Sequence, residues 1–128
     1  MNQLQALIID DNHANLGVLS RLLSKQGIVS TVISDVNQLD HVLENLAKVD
    51  IAFVDLELPE INGYEILAKL KADVRFEAIP IVAYTVHVSE INVAHHEGFH
   101  SFLAKPVDTD KFPEQLAKIL SGEHVWSS

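Results

Sequence analysis

The fold of this chain follows from one stretch, which reads Ile51-Ala52-Phe53-Val54-Asp55-Leu56-Glu57-Leu58-Pro59-Glu60-Ile61-Asn62-Gly63. An apolar run leads into the carboxylate of Asp55, and the chain then breaks at Leu58-Pro59 and again at Asn62-Gly63. A short apolar run bounded in this way predicts a fully buried strand followed by a turn-rich loop. In open α/β sheets, ligands bind in the crevice outside the C-terminal ends of the strands. Asp also ends strands without any function, so other segments must decide between the two interpretations.

Composition restricts the chain to one acidic domain. A length of 128 residues, 48% of them hydrophobic, suits a single folded domain with a sizeable core. No apolar run approaches the roughly 20 residues of a membrane span. Met1-Asn2-Gln3 lacks the basic residues of a signal peptide, and there is no cysteine, so we expect a cytoplasmic protein without disulfides. The formal net charge of −9 argues against direct binding to nucleic acid or insertion into an anionic membrane.

Strand and helix patterns alternate five times along the chain. Apolar runs predict strands at residues 4–9, 28–33, 51–54, 81–84 and 101–104. Helical spacing predicts helices that begin after Asn12, after Ser34 or Asp35, at Asn62-Gly63, near Ser89, and after Asp108 or Thr109. Strands joined by helical crossovers must be parallel, and right-handed crossovers favour a doubly wound sheet with helices on both faces. We expect residues 4–121 to form the domain core and 122–128 to be a frayed tail.

Chemically active side chains follow four of the five predicted strands. Asp10 and Asp11 follow the first strand, Asp55 ends the third, Thr85 ends the fourth and Lys105 follows the fifth. Parallel strands bring these ends to one edge of the sheet, where three carboxylates would repel each other without a cation. Mg²⁺ suits such a site because it binds a few oxygen ligands and keeps waters and a phosphate. Attack of a carboxylate on phosphorus is the chemistry that this arrangement would serve.

The chain as a whole resembles the receiver domains of two-component response regulators, over residues 4 to 121. The matching motifs are Ile8-Ile9-Asp10-Asp11-Asn12, Asp55-Leu56-Glu57-Leu58-Pro59 with Asn62-Gly63, Ile79-Pro80-Ile81-Val82-Ala83-Tyr84-Thr85, and Phe102-Leu103-Ala104-Lys105-Pro106. The resemblance implies a single receiver domain over residues 1–128. Its fold would be flavodoxin-like α/β, a doubly wound five-stranded parallel sheet in the strand order 2-1-3-4-5 with five helices.

The resemblance also implies a role for each residue of the acidic cluster. Asp55 would be the phosphoacceptor. Asp11 and Asp55 would bind Mg²⁺ (or Mn²⁺) together with the backbone carbonyl of Glu57, and Asp10 would act largely through water. Lys105 would pair with Asp55 or with its phosphoryl group.

A switch is the second implication of the resemblance. Thr85 would move to hydrogen-bond the phosphoryl group, and Phe102 would turn inward with it, changing the surface of the fourth helix, fifth strand and fifth helix. The phosphodonor would be a sensor histidine kinase or a histidine phosphotransfer protein, and the downstream target is an unknown protein. The chain would not be an enzyme beyond its own phosphorylation and dephosphorylation.

Three positions differ from the commonest receiver pattern or vary within it. Val86 stands where the family usually has a small residue, and its bulk would slow both phosphorylation by small donors and hydrolysis. Glu57 and His87 occupy the two positions that flank the path of the attacking water in this family. The sequence therefore leaves the lifetime of the aspartyl phosphate open.

Three alternatives fit the sequence less well than a phosphorylated receiver. A phosphorylation-independent pseudo-receiver, acting as an interaction module, usually lacks an acidic residue or the lysine, whereas this chain keeps them all. A flavin-binding protein would need a Ser/Thr/Gly-rich loop where Asp10-Asp11-Asn12 stands, and an aspartate phosphatase would need Asp in place of Glu57. A histidine metal site involving His96 and His100 is disfavoured because Gly98 breaks the helix between them, so we expect exposed surface histidines.

Overall fold

The computed structural model describes residues 3–58 and 61–127, without the side chain of Asn15. Six parallel strands and five α-helices make up most of this part of the chain. The strands are β1 (Gln5–Ile9), β2 (Val29–Ile33), β3 (Ile51–Asp55), β4 (Ile81–Thr85), β5 (Ser101–Ala104) and β6 (Trp126–Ser127). The helices are α1 (His13–Lys25), α2 (Leu39–Asn45), α3 (Gly63–Lys71), α4 (Ile91–Glu97) and α5 (Phe112–Leu120). Pro59, which belongs to the predicted chain break after β3, lies outside the described residues.

The strand order is β2-β1-β3-β4-β5-β6, so the predicted parallel α/β sheet with five helices is confirmed and the predicted number of strands is wrong. β6 comes from the segment that was expected to fray. The Phe102 N–H donates to the Val125 carbonyl at 2.7 Å, and Trp126 stands beside Phe102 in the register. The physical reason is that β5 would otherwise be an edge strand with unpaired backbone groups. A strand of two residues is enough to pair with this edge, but it is too short to give a strand pattern in the sequence.

Alternating side chains of the strands feed two separate cores. Ile8 and Phe53 point into the layer formed with α1 and α5, whereas Leu7 and Val54 point into the layer formed with α2, α3 and α4. All four are 0% exposed, which is why the strands read as continuous apolar runs. Within the described ranges, no helix combines the length and apolar character needed to cross a membrane.

The predicted cap of α3 is observed, whereas the predicted caps of α2 and α5 are not. The Asn62 side chain accepts a hydrogen bond from the Glu65 N–H at 2.9 Å and caps α3 as expected. Asp35 instead caps a 3₁₀ turn, Val36–Gln38, that precedes α2. The cap predicted at Asp108 or Thr109 is wrong, since the Asp108 carboxylate closes a turn and α5 begins at Phe112.

Candidate functional site

The C-terminal ends of the strands surround a cleft of about 170 Å³, lined among others by Asp11, Asp55, Thr85 and Lys105. Asp55 and Thr85 end β3 and β4, whereas Asp11 and Lys105 follow β1 and β5, so the parallel sheet brings together groups that are far apart in sequence. Asp10 lies beneath the cleft and is 0% exposed. The structure thus places all five sequence-predicted polar side chains around one position.

Lys105 is the centre of a buried ion cluster. Its Nζ lies 2.6 Å from Asp10 Oδ2 and 3.3 Å from Asp55 Oδ2, and the side chain is buried. The ammonium also lies 4.7 Å from the centroid of the Tyr84 ring, a cation–π contact that supports its position. The shorter contact to Asp10 and the role of Tyr84 were both missed from the sequence. The register pairs Tyr84 with Asp55, and only known strand pairing could have revealed it.

Asp10, Asp11 and Asp55 form the one group of three or more potential metal ligands in the described chain. Each offers a carboxylate oxygen, and these oxygens all lie within 4.8 Å of one another. Asp11 is exposed whereas the other two are buried, so one side of the group faces solvent. Oxygen ligands with an open side fit Mg²⁺, which keeps several of its waters, and no histidine belongs to this group.

Backbone N–H groups hold the two buried carboxylates in place. The Asn12 N–H donates to Asp10 Oδ1 at 2.9 Å, and the Glu57 N–H donates to Asp55 Oδ1 at 3.0 Å. Burial raises the pKa of Asp55 from 3.8 to about 6, with a further contribution from Asp10, although the Glu57 N–H and Lys105 act in the opposite direction. Without a bound cation, the folded protein therefore disfavours the charged form of Asp55.

Two loops meet across the mouth of the cleft. His87 Nε2 lies 2.7 Å from Glu57 Oε2, and both side chains are exposed. The His87 N–H also donates to Thr85 Oγ1 at 3.2 Å. A hydroxyl that accepts this bond still has its own proton to donate, so Thr85 can serve a ligand in the cleft. The contact joins Glu57 and His87, the two positions that the resemblance places on either side of the path of the attacking water.

Gly63 explains how closely the loop after β3 returns to the site. A Cβ atom at this position would lie 2.7 Å from the Asp55 carbonyl oxygen and 2.7 Å from the Leu56 Cα. Real Cβ atoms do not approach backbone so closely, so glycine is required for this packing. The start of α3 is thereby pressed against the end of β3 that carries Asp55.

Residues 6–117 match the family model described as the response regulator receiver domain. The chain belongs to this family. The match covers most of the chain, and it includes every residue that lines the cleft.

Curated relatives of this receiver domain include complete small receivers and parts of larger proteins. Chemotaxis protein CheY1 of Helicobacter pylori is 27% identical over 125 residues, which cover 91% of this chain and 97% of the relative. Sensory/regulatory protein RpfC of Xanthomonas campestris is 31% identical over 93% of this chain, which spans 17% of that relative. An uncharacterized response regulatory protein of Vibrio cholerae is 28% identical, and the chain spans about half of it, 48%.

Solved receiver structures share the fold. The receiver domain of sensor histidine kinase PA1611 from Pseudomonas aeruginosa, with a magnesium ion coordinated in its active site cleft, has a TM-score of 0.80 at 23% identity. The comparison covers 94% of this chain and 99% of that one. Chemotaxis protein CheY4 of Vibrio cholerae has a TM-score of 0.81 at 17% identity, covering 92% and 99% of the two chains. At these identities the likeness establishes the fold alone.

Two further residues of the receiver domain differ from their expected surroundings. Phe102 is 0% exposed and packs in the core on the side of α4, so it already points inward. His100 is half-buried rather than exposed, and its ring lies 4.3 Å from the ring of His124. Burial, with a contribution from His124, lowers the pKa of His100 below its ordinary value.

Proposed function

We propose that this receiver domain is a phosphorylation switch in which Asp55 accepts a phosphoryl group from a sensor histidine kinase or a histidine phosphotransfer protein. The observation that supports the proposal is the cluster of three carboxylates and one buried lysine at a solvent-facing cleft. The chain would catalyse only its own phosphorylation and dephosphorylation. A cytoplasmic site of action and a protein as downstream target belong to the same proposal.

The proposed cofactor is Mg²⁺, or Mn²⁺, held by Asp11, Asp55 and the backbone carbonyl of Glu57, with Asp10 acting through water. When bound, the ion supplies positive charge to the oxygens of the transferring phosphoryl group. The site suits this ion because its ligands are all oxygens and the carboxylate oxygens lie within 4.8 Å of one another. The raised pKa of Asp55 adds to this fit, because a cation would stabilise the charged form that phosphoryl transfer needs.

The transfer step assigns a function to each remaining group. An Asp55 oxygen attacks phosphorus, the N–P bond of the phosphohistidine breaks, and the released imidazole takes a proton from solvent. The Lys105 ammonium, 3.3 Å from Asp55 Oδ2, neutralises charge on the phosphoryl oxygens. The Thr85 hydroxyl donates its free proton to one of these oxygens. Hydrolysis reverses the modification when water attacks the phosphorus and Asp55 leaves.

The lifetime of the phosphoryl group would depend on the mouth of the cleft. The Glu57 and His87 side chains meet there, and the exposed Val86 side chain stands on its wall. Together they would narrow the path of the attacking water. We therefore expect slow hydrolysis, and faster hydrolysis in Glu57→Ala, which removes the contact without touching the backbone carbonyl.

The experiment that tests the proposal is intact-mass measurement after incubation with acetyl phosphate, with and without Mg²⁺. We expect the mass of one phosphoryl group to appear only with Mg²⁺. It should be absent in Asp55→Asn and present in Asp110→Asn, which changes an exposed aspartate outside the cleft. Because Val86 would hinder small donors, a phosphorylated histidine kinase is the second donor. No mass gain from either donor would refute the switch and favour the phosphorylation-independent interaction module.

A further inference from the structure

Residues 123–127 cover the edge of β5 through hydrogen bonds to three consecutive residues. The Phe102 N–H donates to the Val125 carbonyl at 2.7 Å, and the Val125 N–H donates to Ser101 Oγ at 3.0 Å. His124 Nδ1 lies 2.7 Å from the His100 carbonyl oxygen, so this nitrogen carries the proton and donates it. The segment therefore bonds to one backbone N–H of β5, to the Ser101 hydroxyl, and to the carbonyl of the residue that precedes the strand.

The side chains of the segment contact both layers of the domain. Val125 packs against the core formed with α1 and α5, and Trp126 packs against the core formed with α2, α3 and α4. The Trp126 ring lies 4.4 Å from the ring of His95 on α4, and Phe102 stands beside it in the sheet. Residues 123–127 thus occupy the part of the surface where α4, β5 and α5 meet.

One continuous stretch of chain connects the cleft to this contact. Thr85 ends β4, the following loop leads into α4, and His95 lies on that helix. The His87 N–H is bonded to Thr85 Oγ1, and the Tyr64 hydroxyl holds the start of α4 by donating to Glu90 at 2.7 Å. A shift of Thr85 towards a phosphoryl group would displace the loop, and with it the helix that carries His95.

The two aromatic side chains at this edge differ in their freedom to move. Phe102 is fully buried and already points inward. Trp126 is half-buried, and it is held by a two-residue strand and by its contact with the exposed His95. Short edge elements with few contacts open locally at a much lower cost than the whole domain.

We propose that residues 123–127 are an autoinhibitory latch, docked on β5 in the unphosphorylated protein and released when phosphorylation of Asp55 shifts α4. The proposal rests on the proposed function, because release is driven by the phosphoryl group. In the latched state the segment covers the edge of β5. Release exposes the Phe102 N–H and the Ser101 hydroxyl as a docking edge for an extended segment of a partner. By thermodynamic reciprocity, weakening the latch must favour phosphorylation.

The first test uses Trp126 as a reporter, since it is the only tryptophan of the chain. Acrylamide quenching of its fluorescence is measured on the full chain with Mg²⁺, before and after the phosphodonor that works in the mass experiment. We expect quenching to increase on phosphorylation and to fall back to its starting value as the phosphoryl group is hydrolysed. Quenching that stays the same in protein shown by mass to be phosphorylated would overturn the latch and leave the proposed function standing.

The second test weakens the latch from the side of α4. His95→Ala removes the ring that contacts Trp126 and keeps the reporter, and His96→Ala is the matched control on the adjacent exposed histidine. We expect His95→Ala to raise quenching without a donor and to increase the equilibrium constant for phosphotransfer from the phosphorylated histidine donor about fivefold, the lower end of typical coupling between sites. Equal equilibrium constants and equal quenching in both variants would overturn the latch. If wild type takes no phosphoryl group from either donor, the proposed function fails, and the coupled latch fails with it.

Discussion

Replacing Asp55 with asparagine should stabilise the metal-free protein at neutral pH. Burial raises the pKa of Asp55 from 3.8 to about 6 in the folded state. The folded protein therefore binds more protons than the unfolded chain between these two values. The contribution of Asp55 to the free energy of unfolding is therefore fully present below about pH 4 and is lost as the pH rises through about 6. Asparagine has nearly the same size and no charge, so the variant does not lose this stability.

The size of the effect follows from the pKa shift. A shift of about two units corresponds to at most about 3 kcal/mol, at about 1.4 kcal/mol per unit. Asp55 lines a cleft that is open to water, which screens part of the charge, so we expect a gain of about 1–2 kcal/mol. The asparagine carbonyl can replace Oδ1 and accept the hydrogen bond from the Glu57 N–H, and Lys105 keeps its contact with Asp10 Oδ2, so neither buried donor is left without a partner.

Urea unfolding in the presence of EDTA, at about pH 7.5 and about pH 4.5, measures this difference. The gain of Asp55→Asn should be present at the higher pH and nearly absent at the lower one, and Asp110→Asn should match wild type at both. Added Mg²⁺ should stabilise wild type more than Asp55→Asn, because the ion binds the folded state through the carboxylate. A variant less stable than wild type at about pH 7.5, or a gain independent of pH, would refute this electrostatic reasoning.

Further predictions address the lysine, the tight loop and the C-terminal strand. Lys105→Met leaves the buried Asp10 without its cation, so the free energy of unfolding in urea should fall by about 3–5 kcal/mol, and Mg²⁺ should recover part of the loss. Gly63→Ala places a Cβ 2.7 Å from backbone atoms, so it should lower the free energy of unfolding by about 1–3 kcal/mol and weaken Mg²⁺ binding. Gly17→Ala is the control, because its Cβ would have no atom within 4 Å, and it should not lower the free energy of unfolding. Burial lowers the pKa of His100, so the folded protein binds fewer protons at this residue than the unfolded chain does. Protection of the β6 amides from hydrogen exchange should therefore be full above about pH 6.5 and decrease below it.

The parts of the fold that the sequence predicted are those encoded by local patterns. Strands buried on both faces appear as apolar runs, and all five predicted strands lie within one residue of their observed bounds at each end. The parallel arrangement then requires the strand ends to converge, which is why Asp11 and Lys105 could be placed in one site although they are distant in sequence. Patterning and topology were sufficient for this step.

The parts that the sequence did not predict depend on pairing between distant segments. Lys105 Nζ lies 0.7 Å closer to Asp10 Oδ2 than to Asp55 Oδ2, and no sequence pattern indicates this difference. The start of α5 was wrong because the Asp108 side chain bonds to nearby N–H groups in a turn as readily as at a helix cap. β6 was missed because its stability comes from the open edge of β5 and not from its own two residues.

In the proposed switch, the charges of the cleft link the bound cation to the movement of the Thr85 hydroxyl. Three carboxylates and one ammonium give the metal-free cluster a net charge of −2, which a divalent cation would neutralise. Phosphorylation of Asp55 replaces one negative charge with about two, so the balance is lost again. Lys105, now closer to Asp10, and the Thr85 hydroxyl are the groups that can turn towards the new charge. Lys105 directly follows β5 and Thr85 leads into α4, and these are the two elements that hold Trp126.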